Sequence, residues 1–215
     1  MSYLVNLKVE GRPVLVVGAG AVALRKVEGL LEAGARVTVV APRICGGVER
    51  LAREGRIELR RRPYEKDDCA GAFLVMAATD DETVNAQVAG DAGELGILVN
   101  VADRPALCTV TLPAVVRRGS LTLAVATEGK CPAFARALRE ELERRYGEEY
   151  GAALDLMGEL RARMISLGWE SPKIQRALDT IYKDGLPAAV KRGGRDELLA
   201  LLRRHLGPDF PLDGI

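Results

Sequence analysis

Two short stretches carry residue types and spacings that suit chemistry. In the first, PVLVVGAGAVA at residues 13–23, Gly18, Gly20 and Ala23 have the spacing G-x-G-x-x-A. An aliphatic run precedes these residues and a helical pattern follows them, and in that context the spacing predicts a dinucleotide-binding turn. In the second, Asp103 follows another aliphatic run, which predicts a carboxylate at the carboxyl edge of a sheet, on the side where a nucleotide should lie.

Each small residue of the first stretch has a physical reason. Gly18 lets the chain turn sharply after the strand. Gly20 has no Cβ, so a pyrophosphate can approach the main chain and meet the positive end of the next helix. Ala23 is small enough for that helix to pack against the strand. The alternative interpretation is a glycine turn in an unrelated α/β protein.

The residues after the second predicted strand, 36–40, bear on the choice of cofactor. An NAD enzyme of the usual kind has an acid there for the ribose hydroxyls, whereas this chain has Ala41, Pro42 and Arg43. Arg43 is consistent with binding the 2′-phosphate of NADP, with lying along the adenine or ribose, or with being a solvated loop arginine.

Two further polar positions follow buried strands and have two interpretations each. Thr79 with Glu82 fits a capping box that begins a helix, but the carboxyl end of a strand is also where ligands bind in such sheets. Asp103 is either a turn residue before Arg104-Pro105 or a functional carboxylate.

The elements up to residue 103 predict the fold class. Five predicted strands alternate with helices, which indicates an α/β protein with a doubly wound, parallel, Rossmann-like sheet. A short edge strand is expected ahead of it at 3–8. The five strands are expected at 14–17, 36–40, 57–61, 73–78 and 97–101.

The pattern changes after residue 109. Residues 109–126 predict a hairpin, and 133–146 an amphipathic helix with Pro132 at its first position. Because a hairpin and one helix are too small to be stable as an independent fold, we expect this small α+β segment to pack against a second copy. Helices follow, with a loose tail at 207–215. The predicted domains are 1–112 for nucleotide binding, 113–147 for dimerisation and 148–215 as a helical domain.

Composition limits the classes of function. A net charge of +1 and 4% aromatic residues argue against a nucleic-acid-binding surface. No apolar run is long enough to span a bilayer. The four cysteines are widely spaced, which favours free thiols in a reducing cytoplasm. His205 is the only histidine, so neither a permanent metal site nor a serine-histidine triad is expected.

Four blocks of the sequence resemble the dehydrogenase module of siroheme synthases. They are VVGAGAVALRKVEGLLEAGARVTVVAP, AATDDETVN, VNVADRP and LPAVVRRGSLTLAVATEGKCPAFARALREELE, in that order within roughly residues 2–165. The family includes precorrin-2 dehydrogenases and bifunctional dehydrogenase/ferrochelatases. The resemblance implies NAD-dependent oxidation of precorrin-2 to sirohydrochlorin, an intertwined homodimer formed through 113–146, and in bifunctional members the insertion of ferrous iron.

The same resemblance implies roles for particular residues. The catalytic aspartate of the family falls on Asp103, which in iron insertion would hold the metal only transiently. The family uses NAD without the usual acid after the second strand. Its cofactor contacts fall on Gly18, Gly20, Ala21, Val22, Pro42, Arg43, Thr79 and Asp80.

A substrate with many carboxylates calls for cationic side chains around it. The candidates are Arg117, Arg118, Lys130 and Arg136, and ordinary solvated charges are the alternative for each. The resemblance also places the loop 127–131 beside the tetrapyrrole, so Thr127 is a further candidate contact.

Two other functions compete with this interpretation. The order of a glycine turn and a later ATDDxxxN resembles the NAD(H)-sensing regulatory domains of potassium-uptake systems, which are not enzymes. An ordinary dehydrogenase of a small metabolite is the third hypothesis. Oxidation of a tetrapyrrole is expected only of the first.

Overall fold

A computed structural model describes residues 3–214 of the chain. The chain forms two compact units, Met1–Leu112 and Pro113–Ile215. The predicted division of the second part at residue 147 stays a prediction.

The first unit is built on a parallel sheet of five strands in the order β3-β2-β1-β4-β5. This is the strand order of a Rossmann fold, and the predicted fold class is confirmed. The order of addition changes side at β1: β2 and β3 lie on one side of it, and β4 and β5 lie on the other. The strands are β1 (Pro13–Val17), β2 (Arg36–Val40), β3 (Glu58–Arg60), β4 (Leu74–Ala77) and β5 (Leu98–Val101).

Both faces of this sheet are covered, which is why its strands are aliphatic runs. The core on one face includes Val14, Val16 and helical residues such as Val27; the core on the other includes Leu15, Val17 and Val88. The helices are α1 (Ala21–Glu32), α2 (Gly46–Arg53) and α3 (Glu82–Glu94), with short 3₁₀ turns at Lys66–Cys69 and Pro105–Leu107.

The predicted edge strand at 3–8 is wrong. Residues 3–8 are exposed and form no strand, with Tyr3 92% exposed. Val9, the residue that follows this segment, is buried in the core. Residues 3–8 pair with neither edge strand of the described sheet, β3 or β5, and strand propensity alone does not make a strand without such pairing.

The second unit begins with an antiparallel hairpin, as predicted, and continues with helices. Its elements are β6 (Ala114–Arg118), β7 (Leu121–Val125), α4 (Pro132–Arg145), α5 (Glu148–Ser166), α6 (Ser171–Lys183), α7 (Leu186–Arg192) and α8 (Arg195–Leu206). A separate apolar core, including Leu160, Ile181 and Leu202, holds the later helices together.

The tail at 207–214 is not loose, in contrast to the expectation. Phe210 and Leu212 are buried, and Phe210 packs edge-on against Trp169 with ring centroids 5.8 Å apart. The Arg163 guanidinium donates to the main-chain oxygens of Pro211 and Asp213. Two apolar side chains therefore anchor a segment whose composition is that of a loop. Ile215 lies outside the described residues.

No helix within residues 3–214 has the length and apolar character needed to cross a membrane.

Candidate nucleotide and substrate site

The predicted cofactor residues and Asp103 lie at one edge of the first unit. Because β1, β2, β4 and β5 are parallel, the loops that follow them meet at the carboxyl edge of the sheet. The crevice at the reversal between β1 and β4 is the usual ligand position in such sheets. The loops contribute Gly18 and Gly20 after β1, Arg43 after β2, Thr79 and Asp80 after β4, and Asp103 after β5.

Gly18 is required by both its conformation and its surroundings. Its φ is +109°, which other residues rarely adopt, and a Cβ there would lie 2.4 Å from the main-chain oxygen of Ala78. The Gly18 N–H donates to the carbonyl of Val40 at 2.9 Å. The turn after β1 is thus locked between the ends of β2 and β4.

Gly20 faces open space. No atom lies within 4 Å of where its Cβ would be, and its φ of −84° is an ordinary value. Gly20 is also the N-cap of α1 and supplies no capping side chain, while Ala21 and Val22 in the first turn are exposed. This cradle, with N–H groups directed out of the helix, fits the pyrophosphate of NAD.

The loop after β4 is held by an amide that sequence reasoning missed. Asn85 of α3 is buried; its Oδ1 accepts from the Thr79 N–H at 3.2 Å and from the Thr79 hydroxyl at 2.9 Å, and its Nδ2 donates to the Thr79 carbonyl at 3.0 Å. The predicted capping role of Thr79 is wrong. Asp81 caps α3 instead, accepting from the N–H groups of Thr83 and Val84.

Arg43 and Asp80 form an ion pair at the mouth of the crevice. The Arg43 Nη2 lies 3.2 Å from the Asp80 Oδ2, and both side chains are largely exposed. Pro42, which precedes Arg43, is also exposed. The arginine that follows β2 is therefore accompanied by a carboxylate from the loop after β4.

Asp103 is exposed and has a φ of +57°, a left-handed conformation that Asp tolerates better than most residues. Its loop is closed at the base by Cys108, whose Sγ accepts from the Val101 N–H at 3.2 Å and contacts the Arg104 carbonyl at 3.4 Å. Arg104 pairs with Glu82 at the start of α3. The carboxylate is thus presented to solvent on a tethered turn.

A half-buried lysine lies close to this turn. The Lys26 Nζ donates to the Oδ1 of buried Asn100 at 2.8 Å, and the Asn100 Nδ2 donates to the Val110 carbonyl at 2.8 Å. Burial lowers the pKa of Lys26, while its electrostatic interactions with Cys108 and Asp103 act in the opposite direction. Lys26 thereby adds a positive charge near Asp103.

Lys26 and Asn100 were not among the predicted site residues, although the sequence held a signal for both. Lys26 is a charged residue that directly precedes Val27. It lies next to the buried side of α1, which carries Ala23 and Val27. Asn100 interrupts the aliphatic run ILVNV. A polar residue in such a position requires a buried partner.

The predicted substrate contacts belong to the second unit. Arg117 and Lys130 are exposed, the Thr127 hydroxyl lies 3.5 Å from the Cys131 carbonyl, and Arg136 pairs with Glu140 at 3.0 Å along α4. Arg118 is engaged in structure, because it donates to the Tyr146 and Glu143 carbonyls at the end of α4. The substrate-binding roles stay predictions.

Within residues 3–214 no group of three or more His, Cys, Asp and Glu side chains is arranged to hold a metal ion. All four cysteines are free thiols, as predicted.

The fold and the glycine cradle define a dinucleotide-binding protein, and comparisons with known proteins agree. Residues 5–114 match the family model described as putative NAD(P)-binding. Residues 118–145 match the model described as sirohaem biosynthesis protein central.

Individual relatives are more specific than the family models about the kind of dinucleotide-binding protein that this chain resembles. A siroheme synthase of Pseudomonas putida (strain W619) is 47% identical over 78% of this chain, and one of Pseudomonas aeruginosa (strain LESB58) is 40% identical over 92% of it. The aligned regions make up 36% and 42% of those relatives, so the chain spans about two fifths of their length. The solved structure of SirC, a precorrin-2 dehydrogenase, matches with a TM-score of 0.79 and 28% identity, covering 94% of this chain and 98% of SirC.

The chain belongs to the family described as putative NAD(P)-binding.

Proposed function

We propose that this chain oxidises precorrin-2 to sirohydrochlorin with NAD as the electron acceptor. The observation that carries the proposal is the position of Asp103, which follows β5 at the same edge of the sheet as the glycine cradle. The match to a precorrin-2 dehydrogenase along nearly the whole chain supports the substrate class.

The reaction removes two electrons and two hydrogens from the macrocycle. NAD supplies a hydride acceptor when it is bound. Asp103 accepts the remaining proton from a macrocycle carbon or nitrogen, so the products are sirohydrochlorin, NADH and one proton. The tethered turn exposes the Asp103 carboxylate at the edge of the sheet that carries the glycine cradle, which leaves it accessible to a substrate.

Cofactor binding is assigned to the main chain of the first unit. The N–H groups at the start of α1 bind the pyrophosphate, with Gly20 leaving room for it. Asn85 keeps the Thr79 loop against the turn, next to the close approach of Gly18 and Ala78.

The substrate's carboxylates are assigned to the second unit. Exposed Arg117 and Lys130, with Thr127 and Arg136, are the proposed contacts, since cations bind carboxylates through charge-assisted hydrogen bonds.

The homodimer expected from the hairpin and α4 is part of the same proposal. Phe134 on α4 is 60% exposed, and β6 and β7 form a sheet of only two strands. A dimer mass in sedimentation experiments is the expected result, and a monomer at all concentrations would contradict it. The cytoplasm stays the predicted compartment.

Ferrous iron insertion is the second activity that the resemblance implies. Exposed Asp103 is suited to accept the two protons that leave the pyrrole nitrogens one after the other, passing each to solvent as the ion enters. Purified protein with sirohydrochlorin and Fe²⁺ should then give the absorbance spectrum of siroheme, with Co²⁺ as the competing ion. An unchanged sirohydrochlorin spectrum would limit the chain to dehydrogenation.

The decisive test of the main proposal is a spectrum. We expect purified chain, precorrin-2 and NAD to form sirohydrochlorin and NADH in equal amounts. NADH binding without any change in precorrin-2 would instead favour the NAD(H)-sensing alternative, and oxidation of a small metabolite the third hypothesis.

A further inference from the structure

The Arg43–Asp80 ion pair joins the loops on either side of the glycine turn. Arg43 follows β2 and Asp80 follows β4, and these strands are the two neighbours of β1. Both side chains are 84% exposed, so a ligand in the crevice can reach them.

The end of β2 is where such sheets distinguish their cofactors. An acid there binds the ribose hydroxyls of NAD, whereas an arginine accommodates the 2′-phosphate of NADP. This chain has Ala41, Pro42 and Arg43 at that point and no acid. Arg43 acting alone would therefore favour NADP.

We propose that Asp80 replaces the missing acid and makes the site selective for NAD over NADP by pairing with Arg43. The inference rests on the dinucleotide site of the proposed function. The carboxylate occupies the guanidinium group that a 2′-phosphate would need, and it repels that phosphate directly. NAD has a hydroxyl at this position and meets neither obstacle.

The structure fixes Asp80 well enough for this role. Its neighbours on both sides are anchored, Thr79 by buried Asn85 and Asp81 as the N-cap of α3. The loop therefore holds the carboxylate in place even though an exposed ion pair is itself a weak contact. For the same reason, loss of the Asp80 charge should not unfold the protein.

The test measures cofactor binding in the full chain without any tetrapyrrole. NADH and NADPH fluorescence titrations give the ratio of their dissociation constants for the wild type, Asp80→Asn, Arg43→Gln and the double variant. Asp67→Asn is the matched control, because it removes an equal charge from an exposed turn beside Lys66, which contacts Glu94 at the far end of α3.

Asp80→Asn should shift the ratio about tenfold towards NADPH, equivalent to about 1.4 kcal/mol. The shift should be smaller in the double variant, which loses the repulsion but lacks the freed arginine, and it should be absent in Asp67→Asn. An unchanged ratio in Asp80→Asn, or an equal shift in the double variant, would overturn the inference.

The result of this binding test can be distinguished from the result of the test for precorrin-2 oxidation. A chain that shows the expected binding shifts but leaves precorrin-2 unchanged would retain this inference and lose the dehydrogenase proposal. A chain that oxidises precorrin-2 equally well with either cofactor, and shows no shift, would do the reverse.

Discussion

The two loops that matter most at the carboxyl edge are held in different ways. The turn after β1 is fixed by its main chain, through the Gly18–Val40 hydrogen bond and the contact of Gly18 with Ala78. The loop after β5 is fixed by side chains, through Cys108 at its base and the Arg104–Glu82 pair. Lys26 and Asn100 form a polar contact nearby.

The difference matches what each loop presents. A turn that offers N–H groups to a phosphate needs the right main-chain path and the absence of side chains. A loop that offers one carboxylate needs its main chain held in an unusual conformation, and surrounding side chains can do this. Substitutions that add side-chain atoms should therefore disturb the turn after β1. Substitutions that remove side-chain atoms should disturb the loop after β5.

The largest effect is expected from the glycines. In Gly18→Ala the new Cβ would lie 2.4 Å from the Ala78 carbonyl oxygen at a φ of +109°, so we expect loss of NADH binding and a free energy of unfolding lower by about 2–4 kcal/mol. Calorimetry and NADH titration measure the two effects.

Gly20→Ala separates binding from folding. Because Gly20 faces open space at an ordinary φ, thermal stability should change little, while NADH binding weakens about tenfold or more as the methyl group enters the pyrophosphate cradle. Wild-type NADH affinity in Gly20→Ala would mean that the pyrophosphate does not bind at this turn.

Asp103→Asn should lower the turnover of precorrin-2 by about 100-fold or more, the usual contribution of a general base. Asn tolerates the left-handed conformation as Asp does, so the loop should keep its shape. NADH affinity is the control and should stay near the wild-type value. Wild-type turnover in this variant would rule out Asp103 as the base.

Lys26→Met is expected to have a smaller effect, about a tenfold decrease in kcat with a smaller change in KM. It removes the positive charge near Asp103 and leaves the Asn100 carbonyl without its donor. Arg25→Gln removes the same charge from an exposed neighbour on α1. Equal decreases in the two variants would show that Lys26 has no special position.

The smallest effect on turnover is expected at Asp68, away from both loops. Burial raises the pKa of this carboxyl, but hydrogen bonds from Arg62, the Glu65 N–H and Arg60 outweigh it and lower the pKa to about 2. Since the folded-state pKa lies below the unfolded value, the stabilisation is present above about pH 4 and is lost as the pH falls towards 2.

The free energy of unfolding of Asp68→Asn at neutral pH should therefore be lower than that of the wild type by about 3 kcal/mol. On acidification the variant should lose less stability than the wild type. Acid titrations of both proteins followed by circular dichroism measure this, and turnover at neutral pH should be unchanged. Identical acid-unfolding curves would contradict the assignment of Asp68 as the titrating group.

Much of the first unit was predictable because its signals are local. Aliphatic runs between helical patterns predict buried parallel strands, and Gly18 with Gly20 predicts the turn. Failures occurred where a local pattern competed with a distant partner. Thr79 fits a capping box in sequence, but buried Asn85 binds its hydroxyl and Asp81 takes the cap. Residues 3–8 have strand propensity but pair with neither edge strand of the described sheet.

The sequence by itself determined the order of strands and helices, the glycine turn and the position of Asp103 at a strand end, because these depend on neighbouring residues along the chain. Only the tertiary structure decided which side chains meet. The Lys26–Asn100 contact joins residues 74 positions apart and the Arg43–Asp80 pair joins residues 37 apart. Such contacts depend on how strands are ordered in the sheet, and no local pattern specifies that order.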